Sequence, residues 1–544
     1  MTKKFLIFFV LFTSLFTSCE DLTDLNQNPN GIQPQVVNPN LVMPSVISEA
    51  AKSFVNLGYQ DIAGVMQHTQ KNGWATGHNG YDWGGSQDWD GYYGILRNNQ
   101  LLYNRGVELK YEFHQGVALV IKSLMFGLIT DLWGDAPYSN ALKGEEGGSE
   151  NLQPVFDSQE TIYFGILADL ETANDLLSKS KVDYLGVIDN VDLLYAGDPA
   201  KWRRLANSLA LRYYMRISSK KPAEAKAGVE KIVADPAKYP IIESADQDAA
   251  MQFAGTSVDT SWPTTADFGN DVTNFTRLEI AVPFVKTLQA LNDPRLSVWV
   301  KKVAIPLVVD PNLPPNTDKI EGGKRYLSPD KVGSTPVDTD PDYVGLPVAA
   351  SALPATYNLN QNPSQGEFNP HVSGLTDLYK KSKDPLLRAR LVSAAEIQFT
   401  LAEASLKGWA TGDAKAHYEK GIQESLNAWG VGNSYASYMA GAGVVYNGTL
   451  EQIMEQKWIA SWTSATESWF DYRRTGLPAL QAGPLAKRDK LPVRFYYGRN
   501  ELQLNEANTK AAMSRLELTN YSQADGENSA WSKPWVIQGT DKPW

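Results

Sequence analysis

The stretch that decides the fold runs from Ser393 to Gly430 and reads SAAEIQFTLAEASLKGWATGDAKAHYEKGIQESLNAWG. It contains two apolar patterns of helical period that are joined by one short turn. Asp413 is suited to cap the second helix at its N-terminus, and Gly430 is suited to end that helix in the left-handed conformation. Helix, turn and helix in about 34 residues is the size of one tetratricopeptide unit. Because such a unit cannot bury its apolar face alone, we expect further helices to stack on it.

Comparable periodicity recurs along the chain, so we expect an all-α scaffold of tetratricopeptide-like helix pairs with a minor β content. Strands are expected only within residues 304–368 or 491–497, where no helical pattern is sustained. The other predicted helices cover 41–70, with glycine interruptions, and 95–109, 113–133, 159–178, 199–217, 222–234, 283–291, 449–476 and 506–513. The side chains that we expect in the core of the stack include Trp202, Leu205, Leu209, Leu401 and Leu426.

The composition is that of a folded protein that does not bind nucleic acid. Of the 544 residues, 43% are hydrophobic and 11% are aromatic, which is enough to form a large core and excludes disorder for the bulk of the chain. The formal net charge of −11 argues against nucleic acid and against a basic surface that would bind anionic lipid.

The N-terminus predicts export and lipidation. Lys3 and Lys4 precede an apolar run at 5–16 that is too short to span a bilayer as a stable anchor. Cys19 follows this run and is the only cysteine, so the chain forms no intramolecular disulfide. The arrangement resembles a bacterial lipobox, although Phe16 stands where that pattern usually has leucine. An ordinary cleaved signal peptide followed by an incidental cysteine remains the alternative.

We therefore predict a lipoprotein signal peptide at 1–18, a lipidated tether at 19–40 and a helical body at 41–544. Glu20 and Asp21 directly after the cysteine resemble the surface-export signal of Bacteroidetes lipoproteins, which implies a lipid-anchored protein on the outer face of the outer membrane. No other segment approaches 18 continuous apolar residues, so we do not expect the body to cross the membrane.

Two irregular stretches have the composition of a ligand site. Residues 71–94 and 253–275 mix aromatic side chains with Gly, Asn and Asp, and a long loop in a compact body is usually functional or disordered. A sugar presents a flat C–H face and a rim of hydroxyls, so its site needs aromatic faces beside short polar groups, and an apolar peptide side chain could use the same platform. We predict that Trp74, Tyr81, Trp83 and Trp262 stack on the ligand and that Asn79, Asp82 and Asn270 bind its hydroxyls. Packing of these aromatic rings as ordinary core is the alternative, and residues 343–371 are the next candidate region.

Motifs for catalysis or metal binding are missing from the sequence. None of the five histidines forms a His-x3-His or His-Glu-x-x-His pattern, and we expect His68 and His78 to be solvated loop residues rather than metal ligands beside Asp82. The chain has no Gly-x-Ser-x-Gly, no phosphate-binding glycine-rich loop and no dinucleotide fingerprint. A glycosidase pair of carboxylates stays open as a minor alternative. We interpret the cluster at the end of the helix before Gly476 as a structural ion cluster; it contains Glu467, Asp471, Arg473 and Arg474.

Six segments, taken in order along the chain, resemble the SusD/RagB family of Bacteroidetes outer-membrane lipoproteins in its divergent branch. They are DLNQNPNG at 24–31 after the Cys19 start, DLWGDAPYS at 131–139, GDPAKWRRLANSLALRYYMRIS at 197–218, LNDPRLSVW at 291–299, AAEIQFTLAEASLKGW at 394–409 and QKWIASWTSATESWFDYRRTGLPAL at 456–480. The resemblance implies an all-α body with a large irregular ligand-facing portion. It also implies a SusC-like TonB-dependent transporter as partner and capture of a glycan, or in some members a peptide, without cleavage and without a cofactor.

Two other classes of function remain open at this point. An enzyme would need convergent carboxylates with perturbed pKa values or a bound metal. A tetratricopeptide-type adaptor would bind only a protein partner and would not need the aromatic loop.

Overall fold

The computed structural model describes residues 36–269, 272–350 and 354–544. The α-helices are α1 (Pro39–Val55), α2 (Ile62–Val65), α3 (Thr76–Gly80), α4 (Asp90–Leu109), α5 (Glu112–Trp133), α6 (Ser149–Leu152), α7 (Gln159–Leu176), α8 (Pro199–Arg216), α9 (Pro222–Ala234), α10 (Thr273–Thr276), α11 (Val282–Ala290), α12 (Leu296–Trp299), α13 (Pro329–Val332), α14 (Ala394–Leu406), α15 (Ala414–Ala428), α16 (Tyr435–Met439), α17 (Leu450–Ala460), α18 (Ala465–Thr475), α19 (Arg499–Leu504) and α20 (Glu506–Met513). The strands are β1 (Thr69–Lys71), β2 (Ala136–Pro137), β3 (Phe156–Asp157), β4 (Ala249–Gln252), β5 (Leu278–Ile280), β6 (Leu307–Val309), β7 (Asp318–Glu321), β8 (Lys324–Leu327) and β9 (Arg388–Val392).

The long helices form two groups that meet at α8. In the first group α1, α4, α5, α7, α8 and α9 pack in succession, and in the second α14 packs against α15 and α17. Helix α8 also packs against α14, which joins the two groups into one stack. The prediction of an all-α scaffold built from stacked helix pairs is confirmed.

The α14–α15 pair has the caps that its sequence predicts. The Asp413 side chain accepts a hydrogen bond from the Lys415 amide at 3.1 Å, and Gly430 takes a φ of +74° just beyond α15. The two helices approach closely because Gly421 lies against the ring of Phe399, where an added Cβ would come within 2.8 Å of a ring carbon.

The residues expected in the core are there. Trp202, Leu205, Leu209, Leu401 and Leu426 are each at most 2% exposed. Among the described residues, α5 alone is long and apolar enough to cross a membrane, but 94% of its most apolar 18-residue window is buried inside the protein. That burial is typical of a core helix, and α4 and α7 cover α5 on two sides.

Buried ion pairs hold α18 against its neighbours. Arg216 of α8 pairs with Asp131 of α5 at 3.2 Å and also with Glu467 of α18, while Arg473 pairs with Asp131 at 2.9 Å. Arg474 pairs with Asp471 at 3.0 Å. The interpretation of these residues as a structural ion cluster is confirmed, since their side chains are occupied by one another inside the stack.

One predicted helix is in fact two. Residues 449–476 were expected to form a single helix, but α17 ends at Ala460 and α18 begins at Ala465. Thr463 in the connection has a φ of +70°, which a continuing helix does not allow. The break inserts Trp462 into the core, where its ring stacks on Phe284 at 5.4 Å and on Trp299 at 5.3 Å between centroids.

The strands are short and mostly lie elsewhere than predicted. β6, β8 and β7 form a three-stranded sheet inside the 304–368 region, as expected, but β1–β5, β2–β3 and β4–β9 are two-stranded pairs outside it. Residues 491–497 form no strand. Their backbone groups bond to separate partners, such as Ala530 for Val493 and Leu132 for Phe495, rather than to one neighbouring strand.

Candidate functional site

The candidate site begins where the chain leaves β1 for the aromatic loop. β1 pairs with β5, and Asn72 then ties the loop to a second segment. The side-chain nitrogen of Asn72 donates to the Glu367 carbonyl at 2.7 Å, and the side-chain oxygen of Asn72 accepts from the Gly366 backbone amide at 3.2 Å. Gly73 allows this close approach, because a Cβ there would lie 2.7 Å from Cβ of Gln365.

Trp74 projects from this junction into solvent. Its side chain is 63% exposed, and its φ is +48°, a left-handed conformation that is uncommon for a bulky residue and costs roughly 1–2 kcal/mol. The Trp74 amide donates to the side-chain oxygen of Gln365 at 3.3 Å, and the Arg277 guanidinium carbon lies 5.3 Å from the centre of the indole ring. The backbone and one guanidinium contact therefore hold an aromatic ring that water still reaches.

Two clefts meet at Trp74. The first has a volume of about 500 Å³ and is lined by short polar and apolar groups around the indole ring. Its lining side chains include Trp74, Thr76, Asn79, Asp82, Gln365, Leu485 and Lys487. The second has a volume of about 430 Å³, and its lining includes Asp61, Lys71, Trp74, His78, Trp83, Gln87 and Asp88. An elongated ligand could therefore contact the same ring from either cleft.

The charges in the clefts are arranged in pairs of opposite sign. In the first cleft the Lys487 ammonium lies 2.9 Å from the Asp82 carboxylate. In the second cleft partial burial lowers the pKa of Lys71, an effect that the opposite charge of nearby Asp61 partly offsets, and Asp61 itself is exposed. Burial also lowers the pKa of His78 well below its ordinary value, so this imidazole is neutral at pH 7. The clefts thus offer hydrogen-bonding groups without a strong excess of either charge.

Asn79 and Asp82, which were predicted to bind ligand hydroxyls, both line the first cleft but differ in their freedom to bind a ligand. The Asn79 side chain is 4% exposed, accepts from the Lys71 amide at 2.8 Å and donates to the Lys71 carbonyl at 2.9 Å, so it holds the loop against β1. Asp82 is exposed beside Lys487 and can exchange that partner for a ligand hydroxyl. Asp82 remains a candidate contact, and we reassign Asn79 to a positioning role.

Three of the four predicted stacking residues are buried, which corrects their assignment. Trp262 is fully buried between Tyr59, at 4.8 Å between ring centroids, and Phe253, at 5.8 Å. Tyr81 is also fully buried; it follows α3 with a φ of +61°, and its hydroxyl lies 3.5 Å from the side-chain nitrogen of Gln67. Trp83 is 7% exposed; it reaches the second cleft only by an edge. Its ring packs edge-on to Phe495 at 4.8 Å and Trp469 at 5.9 Å.

Asn270 and Cys19 lie outside the described residues, so their predicted roles stay predictions. Gln365 and Lys487 line the first cleft and were not predicted from the sequence. Both come from distant loops with no local motif, although Gln365 falls within the 343–371 region that the sequence offered as the next candidate.

The described residues contain no group of three or more His, Cys, Asp or Glu placed to hold a metal ion. The two histidines near the loop were expected to be solvated but are buried and bonded within the protein. His68 Nε2 lies 3.1 Å from the Trp458 carbonyl, and His78 Nε2 lies 3.2 Å from the Thr69 hydroxyl. They do not face Asp82 as a ligand set.

A protein-family model of SusD-like proteins, described as starch-binding and associating with the outer membrane, matches residues 31–307 and 342–498. No match is found among curated protein sequences. Several solved structures share the fold. A SusD homologue from Bacteroides fragilis is 20% identical with a TM-score of 0.69, covering 92% of this chain and 99% of that one.

Two further solved structures are described by what they bind. A chitin-binding protein is 22% identical with a TM-score of 0.69, over 93% of this chain and 100% of the other. A chitin-binding SusD homologue from Flavobacterium johnsoniae is 20% identical with a TM-score of 0.67, over 92% and 99% of the two chains. At these identities the structures establish the shared fold, and the family match, which covers most of the chain, establishes membership: the protein belongs to the SusD-like family of starch-binding proteins associated with the outer membrane.

Proposed function

We propose that this protein is a cell-surface lipoprotein, anchored through Cys19, that captures an oligosaccharide at Trp74 and passes it to a SusC-like TonB-dependent transporter. Binding rather than cleavage is the proposed activity. The family description supports the outer-membrane location and a glycan as the ligand.

The observation that carries the proposal is the strained exposure of Trp74. Burying a large aromatic side chain stabilises a protein by roughly 1.5–3 kcal/mol, and the left-handed φ adds a cost of its own. Trp74 is 63% exposed at a φ of +48°, so the protein forgoes the stabilisation from burying this ring and also bears the cost of the strained backbone. Strained residues of this kind cluster at ligand sites. An open indole face is the surface that the C–H face of a sugar ring stacks on.

The surrounding groups favour a glycan over a peptide. Thr76, Asp82, Gln365 and Lys487 supply hydroxyl, carboxylate, amide and ammonium groups around the ring, which matches the rim of hydroxyls on a sugar. An apolar peptide side chain could also contact the ring, but a peptide is commonly bound by adding a strand to an open sheet edge or by apolar pockets for its side chains, rather than by a rim of polar groups. Two solved structures of the same fold are described as chitin-binding, which favours a glycan further.

The test is titration calorimetry with a panel of soluble oligosaccharides, including chitin- and starch-derived oligomers, and a panel of short peptides. For the oligomer that binds, Trp74→Ala should weaken affinity by about 2 kcal/mol or more, roughly thirtyfold. Phe268→Ala is the matched control, because Phe268 is an exposed aromatic residue (44%) that lines neither cleft. Equal affinity of the Trp74→Ala and wild-type proteins would mean that the site lies elsewhere. Binding of peptides but not of oligosaccharides would mean that the ligand is a peptide.

Absence of catalysis is tested with the same proteins. The wild-type protein is incubated with each oligomer that binds, and the products are separated by chromatography. We expect the oligomer to be recovered intact. Shortened products that disappear in an Asp61→Asn variant would indicate a hydrolase, because Asp61 is a carboxylate that lines the second cleft.

A further inference from the structure

Exposed aliphatic side chains are concentrated at the end of the molecule where the described chain begins. Eight of the 21 large hydrophobic side chains exposed in the described residues lie in three short segments, 36–41, 107–109 and 182–193. We call this surface the N-terminal apolar patch. It comprises Val36, Leu41, Val107, Leu109, Val182, Leu185, Ile188 and Leu193.

Hydrogen bonds join the three segments, so they lie next to one another in the fold. The Arg105 guanidinium at the end of α4 donates to the Val37 carbonyl at 2.8 Å. The Asn40 side chain at the start of α1 donates to the Gly186 carbonyl at 2.9 Å, in the middle of the third segment. Val182, Leu41 and Leu185 are 90%, 70% and 63% exposed, so the most apolar groups point away from the body.

The charges beside the patch largely neutralise one another. Lys181 pairs with Asp189 at 2.7 Å, and both Arg105 with Glu108 and Lys179 with Glu112 form close ion pairs. Lys110 and Asp183 are exposed beside the patch and form no ion pair within the described residues, but they are opposite in sign. The patch therefore has no cluster of unpaired positive charge that would select anionic lipid headgroups or a strongly acidic partner. Its affinity must come from apolar contact.

We propose that the N-terminal apolar patch rests on the outer leaflet of the membrane, with Val182 and Leu185 inserted at the boundary between headgroups and acyl chains. The inference rests on the proposed lipid anchor at Cys19, because the chain enters the described body at Val36, inside the patch. The tether joins the body at Val36, so the patch is the part of the described body that is nearest to Cys19 along the chain, and the 17 residue steps between them span at most about 60 Å.

Lipid fits the patch better than a protein partner does. Its eight side chains are all valine, leucine or isoleucine, whereas protein interfaces are enriched in Tyr, Trp, Phe, Met and Arg. An apolar contact beside the lipid anchor would add to the membrane affinity that the acyl chains supply. The patch would also fix the orientation of the body on the membrane.

The lone cysteine makes a direct experiment possible. In the lipidated full-length protein Cys19 is blocked, so Val182→Cys introduces the only free thiol and can carry an environment-sensitive fluorophore. Val445→Cys is the matched control, because Val445 is an exposed valine (55%) outside the patch. Each labelled protein is reconstituted into phosphatidylcholine vesicles with and without nitroxide-bearing lipid, and its fold is checked by circular dichroism.

At position 182 we expect a blue-shifted emission and about twofold or greater quenching by nitroxide lipid, with no change at position 445. Adding Leu185→Asp should remove the shift, whereas Leu518→Asp, at a leucine that is also exposed (58%), should not. Identical spectra at 182 and 445 would overturn the proposal. A shift at 182 that requires the purified transporter would also overturn it in favour of a protein contact. Label uptake by the wild-type protein would show that Cys19 is free, which overturns the lipid anchor itself and with it the placement of the patch.

Discussion

The Lys487 ammonium lies 2.9 Å from the Asp82 carboxylate and joins two loops that are 405 residues apart in the sequence. The same ammonium is 4.0 Å from Asp525. The pair forms part of one wall of the first cleft beside Trp74. Because the two side chains are already ordered before the ligand arrives, binding loses less conformational entropy.

Lys487→Ala should therefore affect binding more than folding. The Lys487 backbone amide keeps its bond to the Gly80 carbonyl at 2.8 Å, and a partly exposed ion pair contributes only about 0–1 kcal/mol of stability. We expect a loss of about 0.5–1.5 kcal/mol in oligosaccharide affinity, the usual contribution of one hydrogen bond. Calorimetry and urea unfolding measure the two quantities. Lys302→Ala removes an exposed pair with Asp342 outside the clefts and should leave affinity unchanged.

Trp74→Gly should separate strain from binding. Glycine adopts a φ of +48° without steric cost, so the substitution relieves roughly 1 kcal/mol while it removes the stacking surface. We expect the unfolding free energy to stay constant or rise and oligosaccharide affinity to fall as much as in Trp74→Ala. A marked destabilisation would mean that Trp74 is a packing residue.

Leu209→Ala and Leu401→Ala should each cost about 2–5 kcal/mol, because both side chains are buried in the helix stack and the substitution leaves a cavity. Leu406→Ala is the control, since Leu406 lies on the same helix as Leu401 but is 38% exposed. Denaturant unfolding monitored by circular dichroism gives the three values. Equal stability of Leu401→Ala and Leu406→Ala would contradict the packing of α14.

The helix stack could be predicted because its signal is local. The stripe of Trp202, Leu205 and Leu209 repeats with the period of one helix, and the same period fixes which face is buried. The α17–α18 break escaped prediction because residues 461–464 contain neither glycine nor proline. Only the fit of Trp462 against distant aromatic rings decides that the chain turns there.

The site was predicted less completely, for a related reason. Trp74 and Trp83 lie in one loop of uniform composition, and nothing local tells which ring faces water. Trp83 is buried because Trp469 and Phe495 come from far along the chain to cover it. Lys487 likewise comes from far along the chain to contact Asp82. Neither the sequence around Lys487 nor the sequence around Asp82 therefore predicts this wall of the cleft.

Cys19→Ala tests the anchor without reference to the fold. If Cys19 carries lipid, the wild-type protein should sediment with the outer membrane, because stable attachment needs at least two acyl chains or an equivalent second signal. The variant should be released or remain as an unprocessed precursor. Membrane fractionation followed by immunoblotting distinguishes these outcomes, and wild-type levels of membrane-bound Cys19→Ala would contradict lipidation.

Asp248 should make the protein less stable as the pH rises towards neutrality. Burial raises the pKa of its carboxyl from 3.8 to about 7, although the hydrogen bond from the Ala394 amide and the charge of Arg390 act in the opposite direction. Because the folded state holds the proton more tightly than the unfolded state, the stabilisation is complete below about pH 4 and is lost progressively up to about pH 7. The difference in pKa corresponds to about 4 kcal/mol.

Asp248→Asn should remove this dependence, because an amide oxygen can still accept the 2.7 Å bond from Ala394 without becoming charged. We expect the variant to unfold at a higher urea concentration than the wild-type protein at pH 8, with the gap narrowing as the pH falls to 5. Asp246→Asn, at an exposed neighbour whose carboxylate bonds to Ser244, is the control and should show no gap at either pH. A constant difference between Asp248→Asn and wild type across this range would mean that the carboxyl is already ionised at pH 5.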